Sequence, residues 1–179
     1  MKLKVMLGML VALLAVPAMA LAGDDSQSDR ASAAESCTAL RTSMGATLFT
    51  QTYGTNGSKA NAFGKCVSQH SSKEAANRAQ AAKSCASEQA DAGFAAAHGG
   101  KSFAQAYGNG PKGKNAMQRC MQAKLKESRT EQREDTVKAA RSCKAERTSM
   151  GESAFKAKWG NRSNAFGKCV SAHSKAKND

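Results

Sequence analysis

Asn61-Ala62-Phe63-Gly64-Lys65-Cys66-Val67-Ser68 recurs without change as Asn164-Ala165-Phe166-Gly167-Lys168-Cys169-Val170-Ser171. Working outward from this string, both occurrences are preceded by Arg-Thr-Ser-Met-Gly (Arg41 to Gly45, Arg147 to Gly151) and then Phe49 or Phe155. An aromatic-Gly step follows, Tyr53-Gly54 or Trp159-Gly160, and each string is followed by a histidine, His70 or His173. A diverged third version keeps the frame with Phe103, Tyr107-Gly108 and Asn115-Ala116-Met117-Gln118-Arg119-Cys120. Two cysteines bracket every version: Cys37 and Cys66, Cys85 and Cys120, Cys143 and Cys169. The chain therefore reads as one structural unit written three times.

Periodicity makes that unit helical. Ala34, Cys37, Leu40 and Met44 share one helical face, and Phe63, Cys66, Val67 and His70 form a stripe that Phe166, Cys169, Val170 and His173 repeat. Ser32-Ala33-Ala34-Glu35 has the form of a capping box and predicts a helix start, and Ser149-Met150-Gly151-Glu152 resembles another. Gly54, Gly108 and Gly160 are placed to end helices in the left-handed conformation. After turns rich in Asn, Gly and Ser, Asn61, Asn115 and Asn164 stand where N-caps belong. Lys73 to Lys83 and the segment around Glu134 and Lys138 contain neither Gly nor Pro and carry favourable Glu-to-cation pairs. A long helix is thus expected to leave each of the first two turns and run into the next unit. No segment alternates in the manner of a strand, and the fold class is all-α: three tandem disulfide-stapled helical-hairpin repeats joined by long helices.

Helix rise decides the cysteine pairing. Cys66 and Cys85 are 19 residues apart, about 28 Å along a helix, whereas a disulfide needs Cα atoms within about 7 Å. Cys120 and Cys143 fail in the same way. Of the fifteen possible pairings, pairing within each unit is then the simplest choice: Cys37–Cys66, Cys85–Cys120 and Cys143–Cys169. Cys37 lies farther from its turn than Cys66 does, so the first helix of each unit must break. Met44-Gly45, Met150-Gly151 and Gly99-Gly100 are the break points.

The amino terminus reads as a signal peptide. Lys2 and Lys4 precede an apolar run ending in Ala20-Leu21-Ala22, with cleavage expected after Ala22. The expected organisation is a signal peptide at 1–22, a flexible N-terminal tail at 23–31, repeat 1 at 32–70, a helical connector at 71–84, repeat 2 at 85–124, a charged helical connector at 125–142 and repeat 3 at 143–179. Six cysteines in an exported chain fit an oxidising compartment. They matter because the core is thin: beyond the leader there are three Leu, three Val, six Phe and no Ile. The expected location is secreted, periplasmic or cell-envelope, with no transmembrane segment in the mature form.

Charge carries the functional expectation. The full chain has a net charge of +13. Lys59, Lys65, Lys112, Lys114, Arg119, Arg162 and Lys168 gather in the turns and in the first turns of the following helices. Cations there oppose the helix dipole, but beside unpaired helix N–H groups they suit phosphate, sulfate or carboxylate. The expected partners are anionic polymers or the cell-envelope surface. Few aromatics and no reader motif argue against specific nucleic-acid recognition. Phe49/Tyr53, Phe103/Tyr107 and Phe155/Trp159, spaced i, i+4, are expected in the core. Asn56-Gly57-Ser58 and Asn161-Arg162-Ser163 match the glycosylation triplet within turns.

Catalytic motifs are missing: there is no Gly-x-Ser-x-Gly, His-Glu-x-x-His or phosphate loop. The expectation is a non-enzymatic binding or structural protein without a cofactor. The alternative is a metal-binding or redox-responsive protein using Cys66, His70, Cys169 and His173, each Cys-x3-His pair one turn apart with Cys37 or Cys143 beside it. Against that alternative, Lys124 replaces the histidine in the second unit and no Cys-x2-Cys pair exists.

Overall fold

Two long helices set the frame of the computed structural model, which describes residues 25–175 apart from 111 and 161. The signal-peptide reading of 1–22 lies outside the described residues, as does Asn161. Helix α3 (Ala62–Ala90) carries Cys66 near its start and Cys85 near its end; α6 (Ala116–Met150) does the same for Cys120 and Cys143. They run antiparallel, with Glu88 paired to Lys124 and Glu74 to Arg129. Helix α1 (Asp25–Met44) lies antiparallel along α3, and α6 contacts both. Short helices fill the ends: α2 (Ala46–Tyr53), α4 (Phe94–Ala97), α5 (Phe103–Tyr107), α7 (Glu152–Trp159) and α8 (Ala165–Lys175). Among the described residues there is no strand, and no helix is long and apolar enough to cross a membrane.

The three disulfides join Cys37 to Cys66, Cys85 to Cys120 and Cys143 to Cys169, each at a Cα–Cα distance of 6.0 Å, and no cysteine is unpaired among the described residues. They close what we call the first, second and third loops. The first and third lie at one end of the α3–α6 pair and the second at the other. Breaks fall at Gly45 (φ 81°) and Gly151 (φ 83°), both in the left-handed region that penalises a side chain. The second loop departs from expectation. Helix α3 stops at Ala90, well before Gly99-Gly100, because Asp91 turns the chain by accepting the Gly93 N–H at 2.8 Å.

Other local expectations need correction. The segment 25–31 is helical rather than a flexible tail, and α1 does not start at the Ser32 box. Asp29 explains this: it is buried against the Arg78 guanidinium of α3, which anchors the added turns. Gly54 and Gly108 are extended (φ −71° and −79°), and only Gly160 takes a positive φ, 91°. At Gly108 the constraint is space, since a Cβ would sit 2.3 Å from the Ala104 carbonyl oxygen. Asn61 and Asn115 precede α3 and α6 but neither side chain caps its helix. Asn61 instead closes its own turn, accepting the Thr55 N–H at 3.1 Å and donating to Thr55 Oγ1 at 2.7 Å. Asn164 Oδ1 is buried without a partner among the described residues. The Ser149 box does not form, as Gly151 precedes α7; a capping box appears at Ser102 and Gln105 instead.

Every disulfide is the centre of an apolar cluster. Leu40, Phe49 and Tyr53 surround the first, Phe94 and Phe103 the second, and Phe155, Phe166 and Val170 the third. Met44 and Leu48 also pack on the third cluster, so the first and third loops share a core. The expected stripes are not equivalent: Phe166 is 5% exposed, but Phe63 is 39% exposed.

Candidate anion-binding cleft

The turns of the first and third loops lie side by side. Ser163 Oγ donates to the Thr55 carbonyl at 2.9 Å. Lys59 takes a left-handed φ of 59°, and its Nζ donates to the Gly54 carbonyl at 2.8 Å and to the Ser163 carbonyl. Burial lowers the Lys59 pKa. Arg147 reaches across from α6, donating to Gln51 Oε1 at 3.1 Å with its guanidinium 5.0 Å from the Phe166 ring centroid. This packing leaves a cleft of about 260 Å³ in which Lys59, Arg147, Lys156 and Arg162 converge. Among the described residues Glu152 is its only lining carboxylate, 3.1 Å from Lys156 and 3.8 Å from Arg147. On the other side of the α2–α8 contact, a groove of about 530 Å³ is lined by Lys73, Lys168 and His70 and, among the described residues, by no carboxylate.

The seven cations expected from sequence are thus divided. Lys59 and Arg162 meet in the cleft, and Lys168 lines the adjacent groove. Lys65 is exposed on the first turn of α3. Lys112, Lys114 and Arg119 lie at the opposite end of the molecule, with Arg119 donating to Asn109 Oδ1. Arg147 and Lys156 were missed. Lys156 follows Phe155 where the first loop has Thr50, and the signal lay in that difference between the two related strings.

The Cys/His alternative meets an obstacle. Two sulfurs and an imidazole nitrogen lie within 4.8 Å of one another in the sets Cys37, Cys66, His70 and Cys143, Cys169, His173. All four sulfurs are committed to disulfides, which offer no thiolate to a metal. The imidazoles serve a polar clamp. Tyr53 OH and His70 Nε2 are 3.1 Å apart. In the third loop Glu146 accepts from Trp159 Nε1 at 2.8 Å and lies 3.4 Å from His173 Nε2. In the second, Glu88 accepts from Tyr107 OH at 2.9 Å and pairs with Lys124 at 2.8 Å. The carboxylates three residues past Cys85 and Cys143 were overlooked; Leu40 occupies that place in the first loop, leaving Tyr53 to meet His70 directly.

That apolar substitution gives His70 an acid-sensitive role. Burial, with help from the Lys73 charge, lowers its pKa from 6.5 to about 4. The unfolded chain therefore binds a proton that the folded chain refuses between these values. Stability is held above pH 6.5 and is lost as the pH falls toward 4, by about 2–3 kcal/mol. Urea unfolding across this window should show that loss in the wild type and not in His70→Gln. Equal slopes for the two proteins would refute it. The lowered pKa values of Glu88 and Glu146, caused first by hydrogen bonds from Lys124 and Lys158, act below 4.5 and are separable.

Compared with known protein families, curated proteins and solved structures, the chain matches none.

Proposed function

We propose that the chain is an exported, non-enzymatic binding protein that presents a basic end to an anionic polymer or cell-envelope surface. In this reading residues 1–22 are a signal peptide cleaved after Ala22, and the three disulfide loops are tandem helical-hairpin repeats joined by α3 and α6. The observation that carries it is the gathering of Lys59, Arg147, Lys156 and Arg162 in a cleft with one carboxylate among the described residues, beside a groove carrying Lys73 and Lys168. Such a surface attracts polyanions through summed charge and needs no base-reading element. The histidines support the non-enzymatic reading by their occupations: His70 and His173 sit in clamps, and His98 stacks on Phe94 with ring centroids 3.7 Å apart.

Retention on immobilised heparin tests the assignment. The wild type should bind at low salt and elute as salt rises. Lys156→Ala with Arg162→Ala should elute markedly earlier, and Lys112→Ala with Lys114→Ala only slightly. No retention, salt-independent retention, or equal shifts for the two double variants would overturn it. A second reading rests on the close Cys/His sets: reduction by an external thiol would release two thiolates beside an imidazole, a ligand set suited to zinc or copper.

A further inference from the structure

Phe63 and Met150 are the exposed large hydrophobic side chains among the described residues, and their positions are related. Within the molecule, Met44 at the end of α1 and Leu48 of α2 pack on the cluster that holds Phe166 and Val170, and Thr52 of α2 meets Gly167 of α8. The approach is close: a Cβ on Gly167 would lie 2.4 Å from the Thr52 carbonyl oxygen. Phe63 is the sequence equivalent of Phe166 on the receiving face, and Met150 is the equivalent of Met44 on the presenting face. The first loop thus retains an uncovered receiving face, and the third an uncovered presenting face.

The uncovered receiving face carries the same side chains as the covered one at most of its positions. Its cavity of about 620 Å³ lies between the Gln27–Ala34 face of α1 and, on α3, Phe63, Gly64, Val67, Ser68 and Ser71, the counterparts of Phe166, Gly167, Val170, Ser171 and Ser174. Nothing lies within 4 Å of a Cβ built on Gly64. Arg41, equivalent to Arg147, is exposed.

We propose that this face is a docking site for a second copy of the chain, whose α6–α7 corner at Met150 packs on Phe63 and Gly64 in the way the Met44–Leu48 corner packs on the third cluster inside the molecule. The two faces belong to different loops, so the contact is head-to-tail: one docking event leaves a face of each kind open, and association continues into a ring or a filament. It is weaker than its internal counterpart. Ala154 and Lys158 stand where α2 has Leu48 and Thr52, and Ala60 replaces the Ser163 that bonds Thr55. This inference is independent of the anion-binding reading.

Sedimentation velocity from micromolar to millimolar protein tests it. The wild-type mass should rise with concentration beyond that of two chains. Phe63→Glu alone and Met150→Glu alone should each remain monomeric. Their mixture should form a species of two chains and no larger, because one good face of each kind survives. Gly64→Ala should weaken self-association at least about tenfold while the thermal midpoint holds or rises, since the added methyl favours helix. A mass independent of concentration, association that survives either single variant, or a mixture that stays monomeric would overturn the proposal.

Discussion

Reduction of all three disulfides is expected to abolish cooperative unfolding and most of the helical signal. The bridges close loops with sequence separations of 29, 35 and 26 residues. Each contributes about 3–4 kcal/mol by restricting the unfolded chain. Their sum, on the order of 10 kcal/mol, equals the whole stability of an ordinary domain. The packing that would remain is slight, because each sulfur pair is itself the buried centre of its cluster. The second loop should open first, since among the described residues its buried cluster has only Phe94 and Phe103 beside Cys85 and Cys120. Thermal melts followed by circular dichroism, with and without reductant and alkylation, provide the measurement. A reduced, alkylated protein with a near-native midpoint would sink the prediction. The same reduced sample, left unalkylated and titrated with zinc, decides the Cys/His reading: saturable uptake that is lost when His70→Gln and His173→Gln are combined supports it, and no uptake removes it.

Phe155→Ala is expected to be the most damaging of the simple truncations. The ring is 1% exposed and touches the rings of Trp159 and Phe166, with centroids 6.5 and 6.1 Å away. Its removal should cost about 3–5 kcal/mol, the transfer term plus the cavity left behind. The damage should spread, because Met44 and Leu48 of the first loop pack on the same cluster. Urea unfolding gives the magnitude, and hydrogen exchange should show α2 losing protection together with α8. Phe103→Ala, in the smaller second cluster, should leave protection of α2 and α8 unchanged. A loss under about 1 kcal/mol for Phe155→Ala, or exchange effects confined to the third loop, would contradict the shared core.

What the sequence disclosed follows from the range of the forces involved. The disulfide partners were legible because a 19-residue helical span cannot bend back on itself, so Cys66 could not reach Cys85, and the repeated string made pairing within each unit the simplest choice left. The breaks at Gly45 and Gly151 were legible because helical arithmetic demanded them and glycine stood there. The capping assignments failed because Asn61 had a nearer partner in Thr55, and local hydrogen bonds compete with a helix start. The turn at Asp91 was hidden in an Ala-rich stretch that scores as helix throughout. The extension of α1 to Asp25 depends on Arg78, far along the chain. Likewise the cleft exists only because α2 lies on α8, a contact between distant segments with no signature in either. Two of its four cations, Arg147 and Lys156, were therefore invisible to a reading of turns alone.

Where the disulfides fall relative to the exposed turns has one more consequence. Gly57, Gly99 and Arg162, all solvent-facing, each lie between a bonded pair of cysteines. A protease that nicks the backbone at any of them releases no fragment, because sulfur still bridges the severed ends. The stretches whose scission would divide the molecule, between Cys66 and Cys85 and between Cys120 and Cys143, are wound into uninterrupted helix and present poor substrates. The chain is arranged so that its vulnerable peptide bonds are the ones it can lose without coming apart.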